Sequence, residues 1–264
     1  MRSLRLFRYL CFYGSAPDVG SGRLSVLLPG LITALLAGCG QAPASDDYFP
    51  LQPGWHWHYQ VTEARQQQRS VHRFEVTTRR IDTPVELAEV MATPQMVVRH
   101  TSDGTDYYLL RDLSGTYRVG KRTLIEKKPR LDAEPVLVMP PPDELEQGIS
   151  WNQTTRPYVL HSTQSHVAWN QGNNEFVMTY EVAETGLVLS TPAGEFQHCI
   201  RIEGRGRIGL YADPRLGYQE VEVVQSEWYA PGVGLIRLQR EEPMDLEMFQ
   251  GGSLTFELIE LQRP

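Results

Sequence analysis

The sequence predicts an all-β fold of antiparallel strands, on three observations. From Tyr48 onward, β-branched and aromatic residues alternate with polar ones at a period of two. Gly, Pro, Asn and Asp cluster between these runs at hairpin spacing. Helix-friendly composition is confined to residues 85–91 and 143–147, and Pro140-Pro141-Pro142 ahead of the second permits no more than a short turn. Roughly ten to twelve strands over about 215 residues fit a single large sheet, a sandwich or a barrel, and the pattern leaves the three open.

Taken in order, Trp55-His56-Trp57-His58-Tyr59 alternates, so Trp55, Trp57 and Tyr59 share one face and His56 and His58 occupy the other, solvent-facing one. Residues 72–81 make the next strand. Residues 97–100 and 106–111 flank Ser102-Asp103-Gly104, whose glycine supplies the positive φ of a tight hairpin. Ser114-Gly115 then turns the chain into residues 116–119. Residues 175–182 and 187–190 flank a further turn at Thr185-Gly186, and Gly194 leads into residues 196–203. Strands over 219–229, 235–240 and 254–261 follow. Between the first two of these, Pro231-Gly232-Val233-Gly234 reads as a turn, with Trp228 and Leu235 as paired core residues on either side.

The amino terminus carries the most specific signal. Residues 24–37 are fourteen uncharged, mostly apolar residues, too short for a bilayer span, which needs about 20, and the length of a signal-peptide core. The run ends in Leu36-Ala37-Gly38-Cys39, which resembles the lipobox of bacterial lipoproteins. That resemblance implies that residues 1–38 are removed, that Cys39 is acylated and anchors the protein to a membrane, and, because Gly40 rather than Asp follows, that the membrane is the outer one. A leader of 38 residues is long, and translation starting near Val19 would leave Arg23 as its charged end. Residues 39–47 then read as the lipidated cysteine and a flexible tether, and residues 48–264 as one β domain.

Composition narrows the partners. The net charge is −7, and Arg2, Arg5, Arg8 and Arg23 against Asp18 give the leader +3, leaving the rest at −10. A chain this acidic, without a basic block, lacks the footprint of nucleic-acid binding. Cys11, Cys39 and Cys199 show neither zinc-site nor CxxC spacing, and no disulfide framework is implied.

Three stretches in order resemble a group of bacterial envelope lipoproteins of unknown function: Tyr48-Phe49-Pro50-Leu51-Gln52-Pro53-Gly54 with Trp57 and Tyr59, Gly194-Glu195-Phe196-Gln197-His198-Cys199, and Trp228 through Leu235. The resemblance implies an antiparallel, strongly curved sheet or incomplete barrel, like the half-barrels of lipoprotein carriers, tethered at the outer membrane and facing the periplasm. It implies no established activity.

The residues themselves offer little chemistry. Gly204, Gly206 and Gly209 satisfy GxGxxG, but a dinucleotide site needs a helix next, and Pro214 and a strand follow; the match reads as a glycine-bearing strand and loop with Arg205 and Arg207 on one side. His56 and His58 lack an identifiable third metal ligand, and His161 and His166 are weaker still. Cys199 and His198 sit on opposite faces of a regular strand, which excludes a dyad and leaves Cys199 as a packed residue. No GxSxG, HExxH or P-loop is present, and no cofactor is implied. The functional expectation is a non-enzymatic binding or assembly role with a lipid, an acyl chain or an envelope protein as partner. The alternatives are an interaction module without a small ligand and, with no supporting motif, a hydrolase.

Overall fold

The computed structural model describes residues 46–65, 68–81, 96–163 and 174–264. The leader, Cys39, the suggested start at Val19 and the helix-friendly stretch 85–91 lie outside them. The fold class is as expected: an antiparallel sheet nearly closed into a barrel with one seam, and no α-helix among the described residues. The strands are β1 (His56–Arg65), β2 (Gln68–Arg80), β3 (Met96–Thr101), β4 (Asp106–Asp112), β5 (Gly115–Arg122), β6 (Arg130–Met139), β7 (Ser150–Thr155), β8 (His161–Ser162), β9 (Phe176–Thr191), β10 (Gly194–Asp213), β11 (Gly217–Ala230), β12 (Gly234–Asp245) and β13 (Phe249–Gln262). Residues 143–147 contribute only a 3-10 turn, Pro142–Glu144.

Sheet order is β6-β5-β4-β3-β2-β1-β13-β12-β11-β10-β9-β7, with β8 added to β13. Two meanders are therefore zipped together where the first strand meets the last, Trp57 opposite Leu261 and Val61 opposite Phe256. The two edges, β6 and β7, approach each other without joining in a ladder, and this is the seam. Closure needs local bending, which the β-bulges supply: one at His58/Tyr59, one at Trp228/Tyr229 and a series from Phe196 to Ile202.

Phe49 identifies the inner face. Arg99 of β3 lies over its ring at 4.0 Å, while Tyr229 of β11, five places away in the sheet, meets the same ring at 6.4 Å between centroids. Phe49 thus fills the interior between opposite walls. Its core companions include Leu109, Val182, Ile202, Val223 and Leu160. A second buried cluster holds Trp57, Val61, Cys199, Ile236 and Leu258, with Leu187, Leu189 and Phe196 packed on it.

The expected turns at Gly104, Gly115 and 231–234 are present, with positive φ at Gly104, Gly115, Gly232 and Gly234. Four expectations are corrected. Thr185-Gly186 is no hairpin: β9 runs through it, Gly186 taking φ +71° amid the register shifts, and the chain reverses at Pro192-Ala193 instead. A left-handed glycine satisfies a bulge as well as a turn, so the local signal could not tell them apart. Trp228 pairs with Arg237, and Leu235 with Tyr229, because Ile236 is the extra residue of a bulge. The bulge at His198, with φ +56°, breaks the alternation around Cys199, so Cys199 and Ile200 are both fully buried, in different clusters. His58 is buried rather than solvent-facing.

Candidate functional site

The first constellation is where the chain enters the barrel. Asp47 accepts from Arg111 Nη1 at 2.8 Å, and its carbonyl accepts from Gly232 N at 2.8 Å. Arg111 Nη2 donates to the Phe49 carbonyl at 2.5 Å and Arg99 Nη2 to that of Pro50 at 2.6 Å. Tyr48 donates to the His198 carbonyl at 2.9 Å. Trp57 Nε1 reaches Val233 O at 2.8 Å, and the Tyr59 hydroxyl reaches Leu235 O at 2.9 Å. The three stretches that carried the family resemblance therefore converge at one end of the barrel and tie the entering segment there. Burial, opposed by Tyr59 and Tyr229, lowers the Arg99 pKa to about 10, and the guanidinium stays charged at neutral pH.

Along the inner face runs a polar chain. Tyr180, Gly204, Gln225, Arg240 and Leu254 lie in register across β9–β13. The GxG spacing has a packing cause: a Cβ at Gly204 would stand 2.6 Å from Tyr180 Cε1, and one at Gly206 2.7 Å from Met178 Cγ. These glycines let large side chains lie flat on the strand. The Tyr180 hydroxyl accepts from Gln225 Nε2 at 3.2 Å, and Gln225 Oε1 accepts from Arg240 Nη1 at 2.6 Å.

Glu227 continues the chain, taking hydrogen bonds from Gln225 and, at 2.5 Å, from the Tyr229 hydroxyl. Its side chain is half-buried. Burial raises its pKa above the ordinary 4.5, against the hydrogen bonds and Arg240. Protonation then favours the folded state: the contribution is full below the unfolded pKa and is lost as pH rises through the folded one. Glu227→Gln is expected to be the more stable chain at neutral pH, with the wild type regaining ground on acidification. Urea midpoints of both proteins across pH test this; a difference independent of pH overturns it.

The second constellation holds residues 156–160. Glu242, fully buried, accepts from the backbone N–H of Tyr158, Val159 and Leu160 at 2.8, 2.8 and 2.7 Å. Arg240 Nε donates to Glu242 at 2.6 Å, its Nη2 to the Arg156 carbonyl at 2.9 Å, and its guanidinium lies 4.0 Å from the Tyr158 ring centre. Sequence reading missed this pair, which looked like ordinary strand charges. The available signal was alternation, since Leu238, Arg240 and Glu242 continue one buried face.

The residues singled out from sequence are scattered. Cys39 and His166 lie outside the described residues. His56 Nδ1 meets Thr77 Oγ1 at 3.2 Å, His58 Nδ1 stands 3.4 Å from Glu75, and His161 Nδ1 is 3.1 Å from Val159 O. No three His, Cys, Asp or Glu side chains gather as a metal site among the described residues. Burial pushes the Cys199 thiol up to about 11, the state of a packed thiol rather than a nucleophile. Residues 204–213 are strand rather than loop; Arg205 pairs with Glu203, and Arg207 lies 3.9 Å from Glu220.

No protein-family model matches the chain, and no curated protein matches it. Two solved structures do. One is a lipoprotein candidate from Parabacteroides distasonis ATCC 8503, 16% identical, with the match covering 84% of this chain and 100% of that one at a TM-score of 0.39. The other is an exported-protein candidate with a YmcC-like fold from Bacteroides fragilis NCTC 9343, 13% identical, covering 81% of this chain and 98% of that one at 0.35.

Proposed function

We propose that this chain is a lipid-anchored protein of the bacterial outer membrane, held at the periplasmic face through acylated Cys39 and serving a non-enzymatic binding or assembly role. The observation that carries the reading is Leu36-Ala37-Gly38-Cys39 at the end of the apolar run 24–37. The clamp on Asp47, Phe49 and Pro50 by Arg111 and Arg99 then fixes where the chain enters the barrel. It leaves residues 40–46 as the whole link between Cys39 and the barrel, a reach of about 25 Å when extended. An anchor at Cys39 would keep the 231–234 end close to the bilayer. The opposite end of β11 lies about 45 Å from the 231–234 end along the strand.

Two further observations favour a protein partner over a carried acyl chain. The interior around Phe49 and residues 158–160 is occupied by the chain itself and crossed by charged groups. At the far end, the β10–β11 hairpin exposes Tyr211, Leu216 and Tyr218, aromatic and apolar side chains of the kind that seat protein interfaces. Metabolic labelling tests the anchor: the wild type should incorporate labelled palmitate and sediment with outer membranes, and Cys39→Ser should take up no label. Label retained by the variant, or absent from the wild type, overturns the reading.

A further inference from the structure

We infer that the inner side of the barrel seam, between β5–β6 and the end of β7, is a binding site for a phosphate-type anionic group, centred on Lys121. It stands whether or not Cys39 is acylated. Lys121 pairs in register with Tyr107 on one side, itself opposite Arg99, and with Arg130 on the other, so it lies on the inner face that Arg99 shares with Phe49. Arg118 belongs to the same strand, and Arg156 follows β7, the opposite edge. Four cations thus gather about the one place where the sheet does not close.

The carboxylates present are already committed. Arg118 donates through Nε and Nη2 to Asp132 at 2.8 and 3.3 Å. Arg156 donates through Nε and Nη2 to Glu175 at 3.1 and 2.7 Å. Glu126 accepts from Thr123 N and Oγ1 at 2.7 and 2.9 Å and stands 3.9 Å from Arg130. Lys121 has no hydrogen-bond or ion-pair partner among the described residues. Burial and the fields of Arg156, Arg130 and Arg118 lower its pKa, and Glu175 alone opposes them.

A half-buried ammonium that has lost water without gaining a direct ion-pair partner is unfavourable, and an anion bound beside it removes that deficit. The donors for one are present: Lys121 Nζ and the Nη1 atoms of Arg118 and Arg156, which take no part in the ion pairs above. A charged ammonium and two guanidinium forks suit a tetrahedral oxyanion. Arg156 is already held at both ends, its guanidinium by Glu175 and its carbonyl by Arg240. The source of the group is a free phosphate or the headgroup of an anionic lipid.

The test is calorimetric titration of the purified full chain with inorganic phosphate, against chloride at equal ionic strength. Saturable binding is expected, weakened about tenfold or more in Lys121→Gln and retained in Lys121→Arg. Arg156→Gln serves as the second variant if Lys121→Gln does not fold. Sedimentation with phosphatidylcholine vesicles, with and without phosphatidylglycerol, separates the sources. Extra binding to the anionic vesicles that phosphate displaces and Lys121→Gln loses assigns the headgroup; phosphate binding with indifference to vesicle charge assigns the free ion. No phosphate binding by the wild type, or equal affinity in Lys121→Gln, overturns the inference.

Discussion

Glu242→Ala is expected to cost about 3–5 kcal/mol of folding stability, the range for removing one member of a buried ion pair. Both side chains are fully buried. The substitution strands the Arg240 guanidinium and also deprives Tyr158, Val159 and Leu160 of their N–H acceptor. Each orphaned amide adds to the loss, since an unsatisfied buried donor costs about 1–3 kcal/mol unless water reaches it. Arg240→Met is expected to cost less, because Glu242 then keeps three amide donors and Met fills the space of the aliphatic stem. Urea denaturation of the three chains decides this: equal losses would mean that the Coulombic pair, and not the amide cradle, holds the segment. Faster proteolysis within residues 156–163 of the Glu242 variant is the local counterpart of the same effect. It bears on the seam as well, because the segment that Glu242 holds begins at Arg156.

The period-two alternation of valines, isoleucines and aromatics was enough to locate most strands, because a sheet with one face on a core imposes that period directly on the sequence. What stayed hidden depends on contacts between distant residues. The zipper of β1 to β13 joins residues two hundred positions apart and leaves no local trace. Bulges are nearly as opaque: Gly186 reads as a turn and Ile236 as a regular strand position, yet each re-aims the residues after it. His58 has a different cause: it keeps the face that alternation gives it, between its cross-strand neighbours Glu75 and Glu260, and is buried there beneath longer side chains, which a period of two does not report. The stretches that resembled a family were legible as landmarks but not as a unit. That Tyr48, His198, Val233 and Leu235 form one knot follows only from the barrel closing. The seam cluster was invisible for a further reason: Lys121, Arg130 and Arg156 look like scattered surface charges until the two edges come together.

The knot makes Trp57→Ala the other large loss, about 3–5 kcal/mol on the scale of buried Trp truncations. Trp57 is 2% exposed, packs in the cluster of Val61, Ile236 and Leu258, and carries the Arg99 guanidinium 5.0 Å from its ring centre. Arg99 in turn holds Pro50, so truncation takes away one of the surfaces on which the clamp of the entering segment rests. Trp57→Phe separates packing from hydrogen bonding. It keeps most of the apolar volume but leaves Val233 O without its indole donor, and is expected to cost about 1–3 kcal/mol. If both variants lose the same amount, the hydrogen bond to the 231–234 turn outweighs the ring. If Trp57→Phe loses nothing, that hydrogen bond carries no stability and the knot rests on packing alone. Amide exchange at Asp47, Tyr48, Phe49 and Leu51 distinguishes a local effect from a global one: in Trp57→Ala these amides should lose protection before those of β10 and β11 do, because the segment is held mainly by side chains of the knot whereas those strands are paired on both sides.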